Sequence, residues 1–148
     1  MIAWEVDIKL RVQTQSGWEW QVSNDIFKFI KNELYMELRF FDVAFSELIP
    51  QVDETIETMS TDGNCIFFKP EHMISVFKKN SKYLDRLFLH SVLHCIFSHL
   101  WVRGERDLFI WGIACDIIVE YTIDNMEKEI LKRPLSWLRM QVYEKIDE

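Results

Sequence analysis

Cysteine is sparse in this chain, and the three present, Cys65, Cys95 and Cys115, lie far apart with no CxxC pair. An odd, scattered set excludes a disulfide framework and a cysteine-built zinc knuckle, and fits reduced thiols packed as small hydrophobes. Basic charge is also short, with 17 Lys and Arg against 24 Asp and Glu, a formal net charge of -7. The basic residues are scattered among acids. No concentrated cationic face is there to displace counterions from phosphates, which excludes nucleic acid as a partner. Long apolar runs are missing too: no stretch approaches the roughly 20 residues that span a bilayer. Met1 to Leu10 alternates apolar with charged residues where a signal peptide has a continuous apolar core. Neither an internal repeat nor a low-complexity segment breaks the chain. The expectation is a soluble, cytoplasmic protein without a membrane or nucleic-acid partner.

What is abundant is large apolar surface. Hydrophobic residues make up 49% of the chain, with 11 Phe and 6 Trp, which excludes a disordered segment. At 148 residues, one core and one domain over 1–148 are expected. The pattern predicts an α+β fold, mostly helical, with a small antiparallel sheet built of hairpins. Ile2, Trp4, Val6, Ile8, Leu10 and Val12 alternate as in a half-buried strand, and Trp18, Trp20 and Val22 continue the alternation beyond a turn at Gln15-Ser16-Gly17. Ser23 or Asn24 caps a helix carrying Ile26, Phe27, Ile30, Leu34 and Leu38, running to about Phe45. Pro50 and the polar stretch after it end that unit. Thr61-Asp62-Gly63-Asn64 supplies a turn between strands at Ile56 to Met59 and Cys65 to Phe68. Pro70 opens a short helix. A broad apolar arc from about Ser81 to Phe97 predicts a buried helix with Asp85 and Arg86 at its wetter end. A charged turn, Arg103 to Asp107, leads to a strongly apolar helix over about Leu108 to Ile123. A last amphipathic helix starts at Arg133-Pro134.

The chemistry concentrates at His90-Ser91-Val92-Leu93-His94. Histidines four apart on a helix lie one turn apart on one face, so two imidazoles reach one ion. This is the spacing of the HExxH helix, where the glutamate after the first histidine is the general base. Here that position is Ser91, whose hydroxyl has no pKa near neutrality and cannot take that role. Asp116 is the candidate third ligand, because an unpaired carboxylate in the apolar run Ile113 to Val119 is costly. Glu120, one turn on, is placed to accept a ring N–H from a ligand histidine, and Asp124 continues the stripe. On an unbroken helix His99 points to the opposite face from His90 and could join the site only if the helix ended first; the expectation is a helix-end or surface residue. Cys95 and Cys115 point about 100° away from the proposed ligands, as core residues do. On residue type alone, a histidine in an apolar stretch is a hydrogen-bonded core group; without metal, the three groups form a buried His–Asp network joining two helices.

The ordered set Thr61-Asp62-Gly63, Phe67-Phe68-Lys69-Pro70, Leu89 to His94, Arg106-Asp107 and Trp111-Gly112-Ile113-Ala114-Cys115-Asp116 resembles a domain of bacterial proteins described as "putative metallopeptidase domain". That domain commonly precedes a von Willebrand factor A-like domain. The resemblance covers about Phe40 to Asp124. It implies a zincin-like fold, zinc or another divalent ion, and His90, His94 and Asp116 as ligands. The chain departs from the family pattern at Ser91, in place of glutamate, and at Gly112, in place of asparagine. The reading is a metal-binding, zincin-like domain impaired as a peptidase. The alternatives are an active metal hydrolase whose base is Glu105 or Glu120, and a metal-free module whose exposed tryptophans meet a protein partner.

Overall fold

The computed structural model describes residues 14–133 and 137–147. The strand expected over Ile2 to Val12, and the start of the last helix at Pro134, lie outside the described residues. In chain order come α1 (Gln15–Glu37), a 3-10 turn (Arg39–Phe41), α2 (Asp42–Glu47), β1 (Ile49–Val52), β2 (Ser60–Thr61), β3 (Cys65–Phe68), α3 (Pro70–Lys79), α4 (Ser81–Ile96), α5 (Leu108–Asn125), a second 3-10 turn (Glu129–Leu131) and α6 (Trp137–Asp147). This is a mostly helical α+β fold. Among the described residues, no helix is long and apolar enough to cross a membrane.

The helix α1 replaces the strand expected at Trp18, Trp20 and Val22. Thr14 caps it, its Oγ1 accepting from the Gly17 N–H at 3.1 Å. The buried stripe Ser23, Ile26, Phe27, Ile30, Leu34 has a helical period that overrides the short alternation before it. Trp20 lies on the flank of that stripe, stacked on Phe68 with ring centroids 6.2 Å apart. The helix also ends earlier than expected. Leu38 leaves helical geometry (φ -134°, ψ 58°) while staying buried, and the following 3-10 turn and α2 bring Phe45 to Phe88, 6.1 Å between centroids.

The sheet has the order β1-β3-β2 and is mixed, with β1 parallel and β2 antiparallel to β3, where only antiparallel hairpins were expected. Pro50 sits within β1, and an edge strand tolerates its missing N–H. The turn is tighter than the sequence suggests. Asp62 Oδ1 accepts from the N–H groups of Asn64 and Cys65 at 2.9 and 2.8 Å, so Thr61 already belongs to β2 and pairs with Ile66. Gly63, at φ +94°, completes it; a Cβ there would stand 2.5 Å from the Trp101 ring.

The core gathers around α4, whose Leu84, Phe88, Leu89, Val92 and Leu93 are buried in one cluster with residues of α1, α3 and β3. Asp85 and Arg86 are not at a wet end: they are 0% and 4% exposed. Asp85 faces Glu33 of α1, and burial, then the neighbouring carboxyl, raises its pKa far above the ordinary range. By contrast α5, despite its apolar sequence, buries only Cys115, Val119 and Ile123, and leaves Leu108, Phe109 and Ile110 exposed.

Candidate metal centre

Two stripes of polar residues at a spacing of four face each other across α4 and α5. Arg86, His90 and His94 run along α4. Asp124, Glu120 and Asp116 run along α5, and the pairing order shows the two helices antiparallel: Arg86 meets Asp124 and Glu120, His90 meets Glu120 and Asp116, and His94 meets Asp116. Each step of four residues advances both helices by about one turn, which keeps the stripes in register.

At one end of this zipper three ligand-type atoms converge. His90 Nε2 and His94 Nε2 are 2.9 Å apart, and Asp116 Oδ1 is 3.2 Å from the first and 3.0 Å from the second. Around a tetrahedral zinc with bonds of roughly 2.0–2.2 Å, ligand atoms stand about 3.3 Å apart. The cluster therefore has the right donor types at close to the right separations, and could hold a metal ion.

The outer nitrogens of both rings are anchored. His90 Nδ1 is 2.7 Å from Glu120 Oε1, the geometry of a ring N–H donating to a carboxylate. His94 Nδ1 is 3.0 Å from His99 Nδ1. With Nδ1 engaged on each ring, Nε2 is the atom turned toward Asp116.

The field of these carboxylates is strong. Burial acts to lower the pKa of His90, but hydrogen bonds to Asp116 and Glu120 outweigh it and raise it to about 9. Hydrogen bonds from His90 and then His94 hold Asp116 well below the usual carboxylate range. Burial acts to raise Glu120, yet the His90 and Arg86 bonds prevail and keep it ionised. Positive charge is thus favoured where the three atoms meet.

His99 meets the condition under which it could join: it lies beyond the helix end and its Nδ1 stands 3.0 Å from His94 Nδ1. The helix ends at Ile96, and Ser98 adopts φ 59°, so the rotation of 100° per residue stops applying and the chain turns the ring back onto His94. The His99 carbonyl accepts from Trp111 Nε1 at 2.9 Å, which ties this turn to α5. Burial, then the neighbouring His94, lowers the His99 pKa. Asp116 is also differently placed than its sequence context suggests. Its side chain is 61% exposed, because the face of α5 around it looks to solvent, so its location rests on the two histidines and not on an apolar interior.

Ser91 is 3% exposed, and its hydroxyl donates to the Leu87 carbonyl at 3.3 Å in place of an imidazole. It lines, with Thr61, His90, Trp111 and Asp116, a cavity of about 450 Å³. Glu120, one of the two alternative bases, has Oε1 on His90 and Oε2 on Arg86 and on Arg133 at 2.7 Å. Glu105 is exposed and does not line the cavity. Cys115 is buried and Cys95 half-buried against the core, and burial raises both thiols.

Fold and site together define a mostly helical α+β domain with a His-His-Asp cluster able to hold a metal. The chain belongs to the family described as "Putative metallopeptidase domain", whose model matches residues 31–145. No match is found among curated proteins or among solved structures.

Proposed function

We propose that the domain binds a divalent metal, zinc above others, through His90, His94 and Asp116, and that it is impaired as a peptidase because Ser91 stands where the general base belongs. The observation that carries the reading is the convergence of two Nε2 atoms and one carboxylate oxygen within 3.2 Å of one another while both Nδ1 atoms are held from behind. Two imidazoles and one carboxylate suit zinc, and three protein ligands leave a fourth position open.

When bound, such an ion supplies Lewis-acid polarisation of a carbonyl and a low-pKa water. The residues around it do the rest. Glu120 holds the His90 ring in the tautomer that presents Nε2. The cavity walls, Met59 and Trp111 among them, shield one side from water. A peptidase also needs a carboxylate to take the proton of the attacking water. Ser91 cannot accept it, and Glu120 has both oxygens engaged by cations and His90. A role in binding follows more readily than one in cleavage.

The test is metal analysis of protein purified without an affinity tag. About one zinc per chain in the wild type, lost in His94→Ala, is expected, and less than about 0.2 per chain in both would sink the reading.

A further inference from the structure

An arginine that is 4% exposed needs its donors matched, and Arg86 matches them in three directions. Nε and Nη2 both donate to Glu120 Oε2, the first at 3.2 Å and the second closer. Nη2 also meets Asp124 Oδ1 at 2.8 Å. Nη1 donates to the Leu131 carbonyl at 2.7 Å. Buried ion pairs of this kind are often no more stabilising than apolar side chains of the same volume. What Arg86 does that an apolar residue cannot is fix the orientation of a carboxylate.

We propose that Arg86 is a positioning residue for the His90 side of the metal centre, and that through it the segment after α5 sets the affinity of the site; this rests on the metal reading above. Glu120 has two oxygens with separate tasks. Oε2 is held by Arg86 and by Arg133, so the carboxylate is fixed in rotation. Oε1 is thereby placed 2.7 Å from His90 Nδ1, as an acceptor for that ring nitrogen. That bond sets the His90 tautomer and ring angle, which brings Nε2 to His94 and Asp116.

The same relay runs the other way. Asp124 accepts from the Tyr143 hydroxyl of α6 at 2.6 Å as well as from Arg86. Leu131, whose carbonyl Arg86 grips, is itself 2% exposed in the core. Arg133 follows two residues later. Among the described residues beyond α5, Leu131, Arg133 and Tyr143 contact Arg86, Glu120 and Asp124 in turn, and none hydrogen-bonds to the three proposed ligands. Linkage makes the effect reciprocal: what holds this segment in place strengthens the site, and loading the site holds the segment.

The experiment compares zinc affinity, by competition with a chromogenic chelator, and the visible spectrum of the cobalt-loaded protein in wild type, Arg86→Met, Arg86→Lys and Arg133→Gln. All are measured at a temperature where each is folded. Arg86→Met is expected to weaken zinc about 10–100-fold and to alter the cobalt spectrum, with Arg86→Lys recovering part of both because it restores charge without the fork. A purely structural Arg86 would lower the melting temperature and leave the spectrum alone.

A folded Arg86→Met that binds zinc within about threefold of wild type, with the wild-type cobalt spectrum, overturns the proposal. If Arg86→Met does not fold, Arg133→Gln decides, since Arg133 lies on the surface: a weakened site supports the relay and an unchanged one overturns it. Wild type taking up no zinc would remove the metal reading itself. Wild type binding normally beside unaffected variants removes only the role of Arg86.

Discussion

Ser91 shows how much one atom group decides. Its neighbours supply ligand geometry, and its own hydroxyl is spent on the Leu87 carbonyl. Because the residue faces a cavity of about 450 Å³, a longer side chain has room to enter it. Ser91→Glu is expected to create chelator-sensitive peptide hydrolysis at least about 100-fold above wild type, the lower range of general-base contributions. A metal-loaded Ser91→Glu with no gain over a panel of peptides would show that the missing base is not what limits the site.

His99 marks where reading single residues stops. Nothing in Phe97-Ser98-His99 carries a helix-stop signal, since the left-handed position is held by serine and not by glycine or asparagine. A rotation argument is sound only while the helix continues; the apolar arc stops at Phe97, one residue past the observed end at Ile96, but it does not say which way the chain turns afterwards.

Spacing is legible between elements as well as within one. Asp116, Glu120 and Asp124 stand out in the sequence as a stripe at a spacing of four. The matching stripe on α4 is present as well, but Arg86 passes for the wet end of a helix because a charged residue in the first turns is ordinarily solvated. Only the antiparallel pairing of α4 with α5 shows that it is the partner of Glu120 and Asp124.

The sheet was legible in its turn and not in its pairing. Asp62-Gly63 announces a reversal, whereas the parallel β1 depends on a contact between segments that no local pattern encodes. The turn presses on the loop after α4, with Gly63 against Trp101. Gly63→Ala adds a methyl at a positive φ and into that ring, so a loss of about 1–3 kcal/mol in urea-unfolding stability is expected. A loss of only about 1 kcal/mol, the cost of the positive φ alone, would mean that Trp101 simply swings out.

The molecule as a whole carries an unresolved acid in its centre. Asp85 is fully buried opposite Glu33, and with both carboxyls ionised neither oxygen of Asp85 has a donor among the described residues; a proton on one of them lets the two hydrogen-bond. In an unfolded chain aspartate titrates near about 3.9. Burial, then Glu33, raises it in the folded state. Folding thus favours the protonated form, and the stability this group contributes is complete below its unfolded pKa and is lost as pH rises through the raised value. Asp85→Asn keeps the shape without the charge. It is expected to raise the melting temperature by about 2–4 °C at about pH 8, with the gain shrinking toward about pH 4.5, in a thermal-shift series. A gain of equal size at both ends would mean that a different group titrates.

The two imidazoles are rooted in the most buried helix, with their rings 21% and 17% exposed, while Asp116 stands on an open face of α5. An ion held there would have one side walled in and the other at the water's edge. Exchange would then proceed by peeling away the carboxylate first, with an incoming small ligand taking its place, and would not have to wait for any part of the core to come apart. An ion there would be reached from its open side through Asp116, with the buried helix left undisturbed.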